Sequence, residues 1–412
     1  MKYGLIGERL SHSFSKEIHA RIAPYSYELC EIQPSELEGF AKKRDFNGIN
    51  VTIPYKQTII PFLDHVEKNA MRIGAVNTVV KRGDELFGYN TDYDGAAALI
   101  RHTGIDIKGK SVMILGTGGT SHTLRHVVSD MGCSETVIVS RNPSNSEISY
   151  DDTHRFFEKT NVIINTTPVG MYPSNDSAPI DIAPFKALCG VIDVIYNPLR
   201  TRLIQAAISR GIKAEGGLYM LVAQAVYASA HFFENDVDTA IIDKIYNIIL
   251  SEKENIVLTG MPSSGKSTVG KALSSALSRE LIDTDELIVE RTKKPITEIF
   301  HDNGESAFRS IESEVIADKS KKQGLIISSG GGAILSDKNI QSFTQNGKIY
   351  FLDRPLELLI STSDRPLSTT REALEKRYNE RYERYCKTAD VHINANGTID
   401  EVKTKILEDF KK

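Results

Sequence analysis

Short apolar runs rich in β-branched residues recur along the chain, and stretches of helical periodicity lie between many of them. SVMIL at 111–115, TVIVS at 136–140, NVIIN at 161–165, GVIDVI at 190–195, NIVLT at 255–259, GLIIS at 324–328 and KIYFL at 348–352 are apolar at most positions. A strand apolar on both faces must be buried on both faces, the condition of a parallel strand covered by helices. The pattern predicts repeated βαβ units and an α/β fold class.

The rhythm restarts twice: at 111 after the turn-like Lys108-Gly109-Lys110, and at 255 after Ser251-Glu252-Lys253-Glu254. Three units follow. Residues 1–105 form an α/β lobe, on which 225–250 packs back from a helix-like stretch over 218–250. Residues 106–224 form a nucleotide-binding lobe, and 254–412 a separate α/β domain. The joint at 251–254 spans roughly 15 Å if extended, at about 3.5 Å per residue. The length of 412 residues agrees, being too long for one ordinary core.

Charge and composition mainly exclude. A net charge of -4 gives no basic field for nucleic acid or a membrane surface. No apolar run reaches the roughly 18 residues of a membrane span, and the opening MKYGLIG stops at Glu8-Arg9, short of a leader's apolar region. Cys30, Cys133, Cys189 and Cys386 form no CxxC pair, so neither a zinc site nor a disulfide framework is expected. A reducing, cytoplasmic location fits. The oligomeric state stays open.

Candidate chemistry is densest after 255–259. Gly260-Met261-Pro262-Ser263-Ser264-Gly265-Lys266-Ser267-Thr268 matches GxxxxGK[ST] between a strand and a helical pattern. Loop N–H groups from Ser263 to Thr268 would bind the phosphates of a nucleoside triphosphate, Lys266 would add a point charge, and Ser267 would offer a hydroxyl to Mg2+. Asp283 closes a short apolar pair, where it can hold Mg2+ through water, and Asp285 two residues on can accept from substrate hydroxyls. Arg309, Glu312, the run Ser329-Gly330-Gly331-Gly332, Arg365-Pro366-Leu367 and Arg381 follow in order. Singly, each reads as a surface charge or a loop.

Gly116-Thr117-Gly118-Gly119-Thr120-Ser121 follows 111–115 directly and opens a helical pattern, as the pyrophosphate turn of a Rossmann unit does. Arg141 ends the next strand, where an acid would favour NAD; an Arg can accept a 2′-phosphate, which favours NADP. In the first lobe, Lys56 follows a strand end and Pro54, and Asp92 follows Asn90-Thr91. Reduction of a hydroxy-ketone needs a proton donor at the carbonyl oxygen, and a carboxylate can orient an ammonium for that task. Taken alone, these two read as a salt bridge before they read as a catalytic pair.

Residues 254–412 resemble shikimate kinase, on the phosphate loop and the ordered set after it. The resemblance implies a P-loop NTPase-like, nucleoside-monophosphate-kinase-like α/β domain. It implies that Asp285, Arg309, Gly331 and Arg381 bind shikimate, with the two arginines on its carboxylate. Arg365 would come from a lid, act on ATP and stabilise the transferring phosphoryl group. Two departures stand out. The stretch before Arg365 lacks an additional Arg that many members carry, and Glu383-Arg384 stands where the family often has Pro-Leu before a Tyr.

Residues 1–250 resemble shikimate dehydrogenase: an α/β substrate lobe plus a Rossmann-like NADP lobe. Asn165-Thr166-Thr167-Pro168-Val169-Gly170-Met171, Asp193-Val194-Ile195-Tyr196-Asn197-Pro198 and Gly217 to Gln224 carry the match in the second lobe. The resemblance implies Lys56 as the catalytic acid–base group, with Asp92 as partner. Ser13, Ser15, Thr52, Asn77, Asp92, Tyr196 and Gln224 would hold the substrate. Gly116, Gly118, Gly119, Thr120, Ser121, Arg141, Val194 and Gly217 would hold NADP.

Together these imply NADPH-dependent reduction of 3-dehydroshikimate to shikimate, then phosphorylation of shikimate by ATP–Mg2+. One rival is a quinate/shikimate dehydrogenase using NAD, joined to a kinase for another small polyol. Another is a non-catalytic binding module on the same folds. Retention of Lys56, Asp92, Lys266, Asp285 and Arg309 argues against the latter.

Overall fold

The structure, a computed structural model, describes residues 1–10, 14–144, 146–360 and 370–410. It divides into two compact units, Met1–Ile248 and Ile249–Lys412.

The first unit contains two sheets. One holds β1 (Tyr3–Gly7), β2 (Glu28–Glu31), β3 (Gly48–Val51), β4 (His65–Val66), β5 (Thr78–Arg82) and β6 (Glu85–Tyr89) in the order β2-β1-β3-β5-β6-β4. It is mixed: β5 is antiparallel to β3 and β6, and the other pairs are parallel. Gly83-Asp84 joins β5 to β6 as a two-residue hairpin, with Gly83 at φ 62°.

The second sheet is wholly parallel, with β7 (Ser111–Leu115), β8 (Glu135–Val139), β9 (Glu147–Ile148), β10 (Val162–Asn165), β11 (Gly190–Asp193) and β12 (Lys213–Glu215). The order β12-β11-β10-β7-β8-β9 is that of a dinucleotide fold, with the strand order reversing at β7. All five residues of β7 are buried, as its unbroken apolar run requires.

The sequence reading merges two helices in this unit. Leu218–Phe233 ends where Glu234 takes a left-handed φ of 53°, and a second helix covers Thr239–Lys253. Leu218–Phe233 packs on the helix Thr91–Thr103, where a Cβ on Gly95 would lie 2.8 Å from the Met220 carbonyl. Its far end, Ala228 and Phe232, joins Leu5, Tyr27 and Val80 in the core of the first sheet. The expected joint at 251–254 is mostly helix, because Ser251 to Lys253 continue the helical ladder.

The second unit is a five-stranded parallel sheet of β13 (Asn255–Thr259), β14 (Leu281–Asp283), β15 (Ile326–Ser328), β16 (Gly347–Asp353) and β17 (Val391–Asn394), in the order β14-β15-β13-β16-β17. The expected strand at 324–328 starts at Ile326, since Gly324 turns at φ 72°. The phosphate loop leaves the carboxyl end of the central strand, where ligands bind in open α/β sheets. Among the described residues, no helix is long and apolar enough to cross a membrane.

Candidate active sites of the two units

Lys56 sits on the short helix Tyr55–Thr58 after β3, and Asp92 in the first turn of Thr91–Thr103 after β6. The sheet carries both strand ends to one edge, and Lys56 Nζ lies 2.6 Å from Asp92 Oδ2. The helix N-terminus also favours the Asp92 carboxylate. Asn77 locks the same corner. Its Oδ1 accepts from the Thr91 N–H at 2.7 Å, and Val51 N–H donates to its carbonyl at 2.8 Å. Val76 N–H donates to the Lys56 carbonyl at 2.8 Å. Thr52 follows β3 half-buried, and Ser15 opens the helix Ser15–Ile22 with 8 % exposure. Ser13 lies outside the described residues.

Tyr196 and Gln224 come from the later part of the unit. The Tyr196 ring stands 5.4 Å from that of Phe14, and burial pushes its phenol pKa up. Gln224 packs beside Gly95, one helical turn beyond Asp92, so the two share a helix neighbourhood.

Gly118 and Gly119 face open space at the start of the helix Gly119–Asp130. Bare backbone at a helix N-terminus suits a phosphate-bearing ligand. Thr120 adjoins them, and Gly116 turns at φ 104°. The Ser121 side chain is buried, so its backbone N–H is what it can offer. Arg141 is exposed just after β8, near Tyr150. Gly217 could carry no side chain, because a Cβ there would run into the Val194 carbonyl.

In the second unit one cavity of about 520 Å³ gathers most of the expected set: Ser263, Gly265, Lys266, Ser267, Thr268, Asp283, Asp285, Arg309, Gly331 and Arg381. Ser264 is turned inward, 2 % exposed, and leaves only backbone to the site. Arg365 lies outside the described residues. Lys266 Nζ donates to the carbonyls of Gly260 and Met261 at 2.8 and 2.9 Å. Asp283 caps the helix Thr284–Thr292 through the Asp285 N–H at 3.0 Å, while its other oxygen accepts from Ser267 Oγ at 2.8 Å. A carboxylate and a hydroxyl so placed are hard oxygen donors of the kind Mg2+ takes alongside phosphate and water. Among the described residues, no three His, Cys, Asp or Glu converge as an all-protein metal cage.

The glycine run has a steric cause. A Cβ on Gly330 would lie 2.6 Å from Asp285 Oδ1 and 2.9 Å from Glu312 Oε1, and one on Gly332 would run into the Arg309 guanidinium. Only glycine lets these charged groups close on the backbone. Burial works against the charge of Arg309, but Glu312 and Glu305 outweigh it and raise its pKa. Burial lowers the pKa of Arg381. Both arginines thus hold positive charge in a partly dehydrated wall, where a ligand carboxylate gains most.

Known proteins divide along the same line. Residues 5–79 match the family model for the shikimate dehydrogenase substrate binding domain, and residues 262–411 match that for shikimate kinase. Shikimate dehydrogenase (NADP(+)) of Clostridium beijerinckii is 35% identical over 265 residues, covering 61% of this chain and 98% of that protein. The chain belongs to the shikimate dehydrogenase family, with a shikimate kinase domain at 262–411. The solved structure of shikimate dehydrogenase 1 from Peptoclostridium difficile is 35% identical with a TM-score of 0.55, covering 60% of this chain and 98% of that one. The Thermus thermophilus shikimate 5-dehydrogenase in complex with NADP(H) and shikimate is 27% identical with a TM-score of 0.54, covering 60% and 99%.

Two residues that the sequence reading named without a role act as supports. In the dehydrogenase unit Asp193 is fully buried. It accepts from Asn165 Nδ2 at 3.0 Å, Ile195 N–H at 3.1 Å and Thr201 Oγ1 at 2.7 Å, and Asn165 Oδ1 accepts from Thr167 N–H and Oγ1. Burial pushes the Asp193 carboxyl up to about 6. In the kinase unit Glu312, 1 % exposed, accepts from Arg309 Nη1 at 2.7 Å and fixes its plane; burial pushes its carboxyl up, and Arg309 pulls it part of the way back. A signal existed for Glu312, three residues beyond Arg309 on one helix. Asp193 opens the stretch 193–198, but nothing there shows its role, because its side-chain partners Asn165 and Thr201 come from the end of β10 and from beyond β11.

Proposed function

We propose that this chain reduces 3-dehydroshikimate to shikimate with NADPH in its first unit and phosphorylates shikimate with ATP–Mg2+ in its second. The carrying observation is that both matched family models are named for one compound, while the first unit keeps Lys56 against Asp92 and the second gathers Lys266, Asp285 and Arg309 around one cavity. When bound, NADPH supplies the hydride and ATP–Mg2+ the phosphoryl group. Lys56 would give a proton from Nζ to the ketone oxygen as the carbonyl carbon is reduced, and Asp92 would orient it and balance its charge. Ser13, Ser15, Thr52, Asn77, Tyr196 and Gln224 hold the remaining hydroxyls and carboxylate. Gly116, Gly118, Gly119, Thr120, Ser121, Val194 and Gly217 form the dinucleotide bed, and Arg141 accepts the 2′-phosphate.

In the kinase unit, Arg309 and Arg381 grip the shikimate carboxylate, with Gly331 beneath it. Asp285 orients the acceptor hydroxyl and takes its proton as the oxygen attacks the γ-phosphorus, whose bond to the β,γ-bridging oxygen breaks to leave ADP. Ser263 to Thr268 cradle the phosphates through backbone N–H groups, and Lys266 and Arg365 stabilise the charge that develops on them. Ser267 would ligate magnesium through its hydroxyl, and Asp283 would hold it through water. Four free cysteines suit a reducing, cytoplasmic setting.

Half-reaction assays on the full chain test this: shikimate-dependent NADP+ reduction without ATP, and shikimate-dependent ADP release without NADP+. Both proceed if the reading is right. Absence of either removes that half.

A further inference from the structure

Tyr385 has no exposed surface, and its ring stacks on Phe351 of β16 with centroids 5.0 Å apart and planes 5° apart. That packing aims one hydroxyl between two loops. Tyr385 Oη donates to the Gly260 carbonyl at 3.0 Å and also to the Gly331 carbonyl. Gly260 opens the phosphate loop, and Gly331 is the middle of the glycine run under the acceptor arginines. Each carbonyl has a second donor: Lys266 Nζ on Gly260 at 2.8 Å, and Arg381 Nη1 on Gly331 at 2.9 Å.

A continuous hydrogen-bonded chain therefore runs from Lys266 through Gly260, Tyr385 and Gly331 to Arg381. At its ends stand the cation that meets the nucleotide's phosphates and a cation that meets the acceptor's carboxylate. At its middle one phenolic proton serves two acceptors, and burial keeps that proton on the oxygen. A ligand that draws Lys266 away removes a donor from Gly260 and changes the share of the Tyr385 proton left for Gly331. A ligand that draws Arg381 away does the reverse. The device needs a shared donor with no access to water, because solvent would otherwise supply each loss.

We infer that Tyr385 is a positioning residue that couples the nucleotide and acceptor sites of the kinase unit by holding both loops with one hydroxyl. The inference rests on the kinase reading above and adds a residue and a coupling to it. Two packed loops with a shared contact form the physical network that energetic coupling requires, and such coupling is reciprocal.

The test titrates the full-length chain with shikimate, without and with saturating ADP–Mg2+, in the wild type, Tyr385→Phe and Phe351→Leu. Tyr385→Phe keeps the ring and its stack and removes only the hydroxyl. In the wild type ADP–Mg2+ should change the shikimate Kd by roughly fivefold or more. In Tyr385→Phe that ratio should fall to near one, and kinase kcat should drop about tenfold. Phe351→Leu, which disturbs the packing but keeps the hydroxyl, should retain the ratio. A wild-type ratio of one, an unchanged ratio in Tyr385→Phe, or an equal loss in Phe351→Leu each overturns the inference. Should Tyr385→Phe lose its calorimetric kinase transition, the wild-type and Phe351→Leu ratios decide alone. Wild-type protein that releases no ADP with shikimate refutes the kinase reading and this inference with it; normal turnover with unchanged coupling in Tyr385→Phe refutes the inference only.

Discussion

Replacing Lys56 by alanine removes the proposed proton donor and leaves Asp92 without its 2.6 Å partner. The two effects differ in size. The pair is 27 % and 17 % exposed, between a surface ion pair worth up to about 1 kcal/mol and a buried one whose breakage costs about 3–5 kcal/mol. The N-terminus of Thr91–Thr103 still supports the Asp92 carboxylate and offsets about 0.3–1 kcal/mol. A stability loss of about 1–2 kcal/mol follows, too little to unfold the unit. The catalytic loss is larger: a positioned general acid supplies about 10²- to 10⁴-fold, or about 3–5 kcal/mol of barrier. The assay is NADP+ reduction by shikimate, read beside ADP release from the same preparation, so the kinase unit is an internal control. Lys56→Ala should lose at least about 10²-fold in dehydrogenase kcat/KM and keep the kinase rate. Dehydrogenase turnover within a few fold of wild type would refute the role of Lys56. A parallel fall in both activities would show general damage instead.

Three further outcomes follow from the same geometry. Lys266→Ala and Asp285→Ala should each lower shikimate-dependent ADP release by about 10²- to 10³-fold and spare the dehydrogenase; undiminished release contradicts the kinase site. Arg141→Ala should raise the KM for NADPH by about tenfold or more and leave NADH little changed, since a charge-assisted phosphate contact is worth about 1.5–3 kcal/mol; equal losses for both cofactors would show that Arg141 does not meet the 2′-phosphate. Asp193 binds its proton more tightly folded, near pH 6, than unfolded, near 3.8. Its contribution to stability is therefore fully present below pH 3.8 and lost as pH rises through 6, by about 3 kcal/mol, and then level. Calorimetry of the dehydrogenase transition should show wild type losing ground to Asp193→Asn across that window; a pH-independent difference between them speaks against a buried, titrating Asp193.

The parts of the fold that were legible are those where one physical demand acts alone. The runs at 111–115 and 255–259 had to be buried on both faces, and both are inner strands. The edge strand Glu28–Glu31 is largely exposed and the two-residue β4 and β9 are too short for any period, so pattern could not find them. The break at Glu234 had a signal in the poor helix formers Asn235-Asp236-Val237-Asp238, but no glycine or proline marks it, because the left-handed cap is a non-glycine residue. In the sites, groups with reactive side chains stood out through residue type and order: Lys56 and Asp92, which the structure pairs, and Lys266, Asp285 and Arg309, which it gathers in one cavity. Groups that act through neighbours did not. Tyr385 meets Gly260 across 125 positions, and Asp193 meets Thr201 only because a loop folds over the end of β11.

The central claim is that one chain carries 3-dehydroshikimate through both reactions. The direct measurement incubates the purified full-length protein with 3-dehydroshikimate, NADPH and ATP–Mg2+ and identifies the products by mass. Shikimate 3-phosphate should appear, with NADP+ and ADP formed in equal amounts. Accumulation of shikimate without its phosphate, or of neither product, would contradict the account.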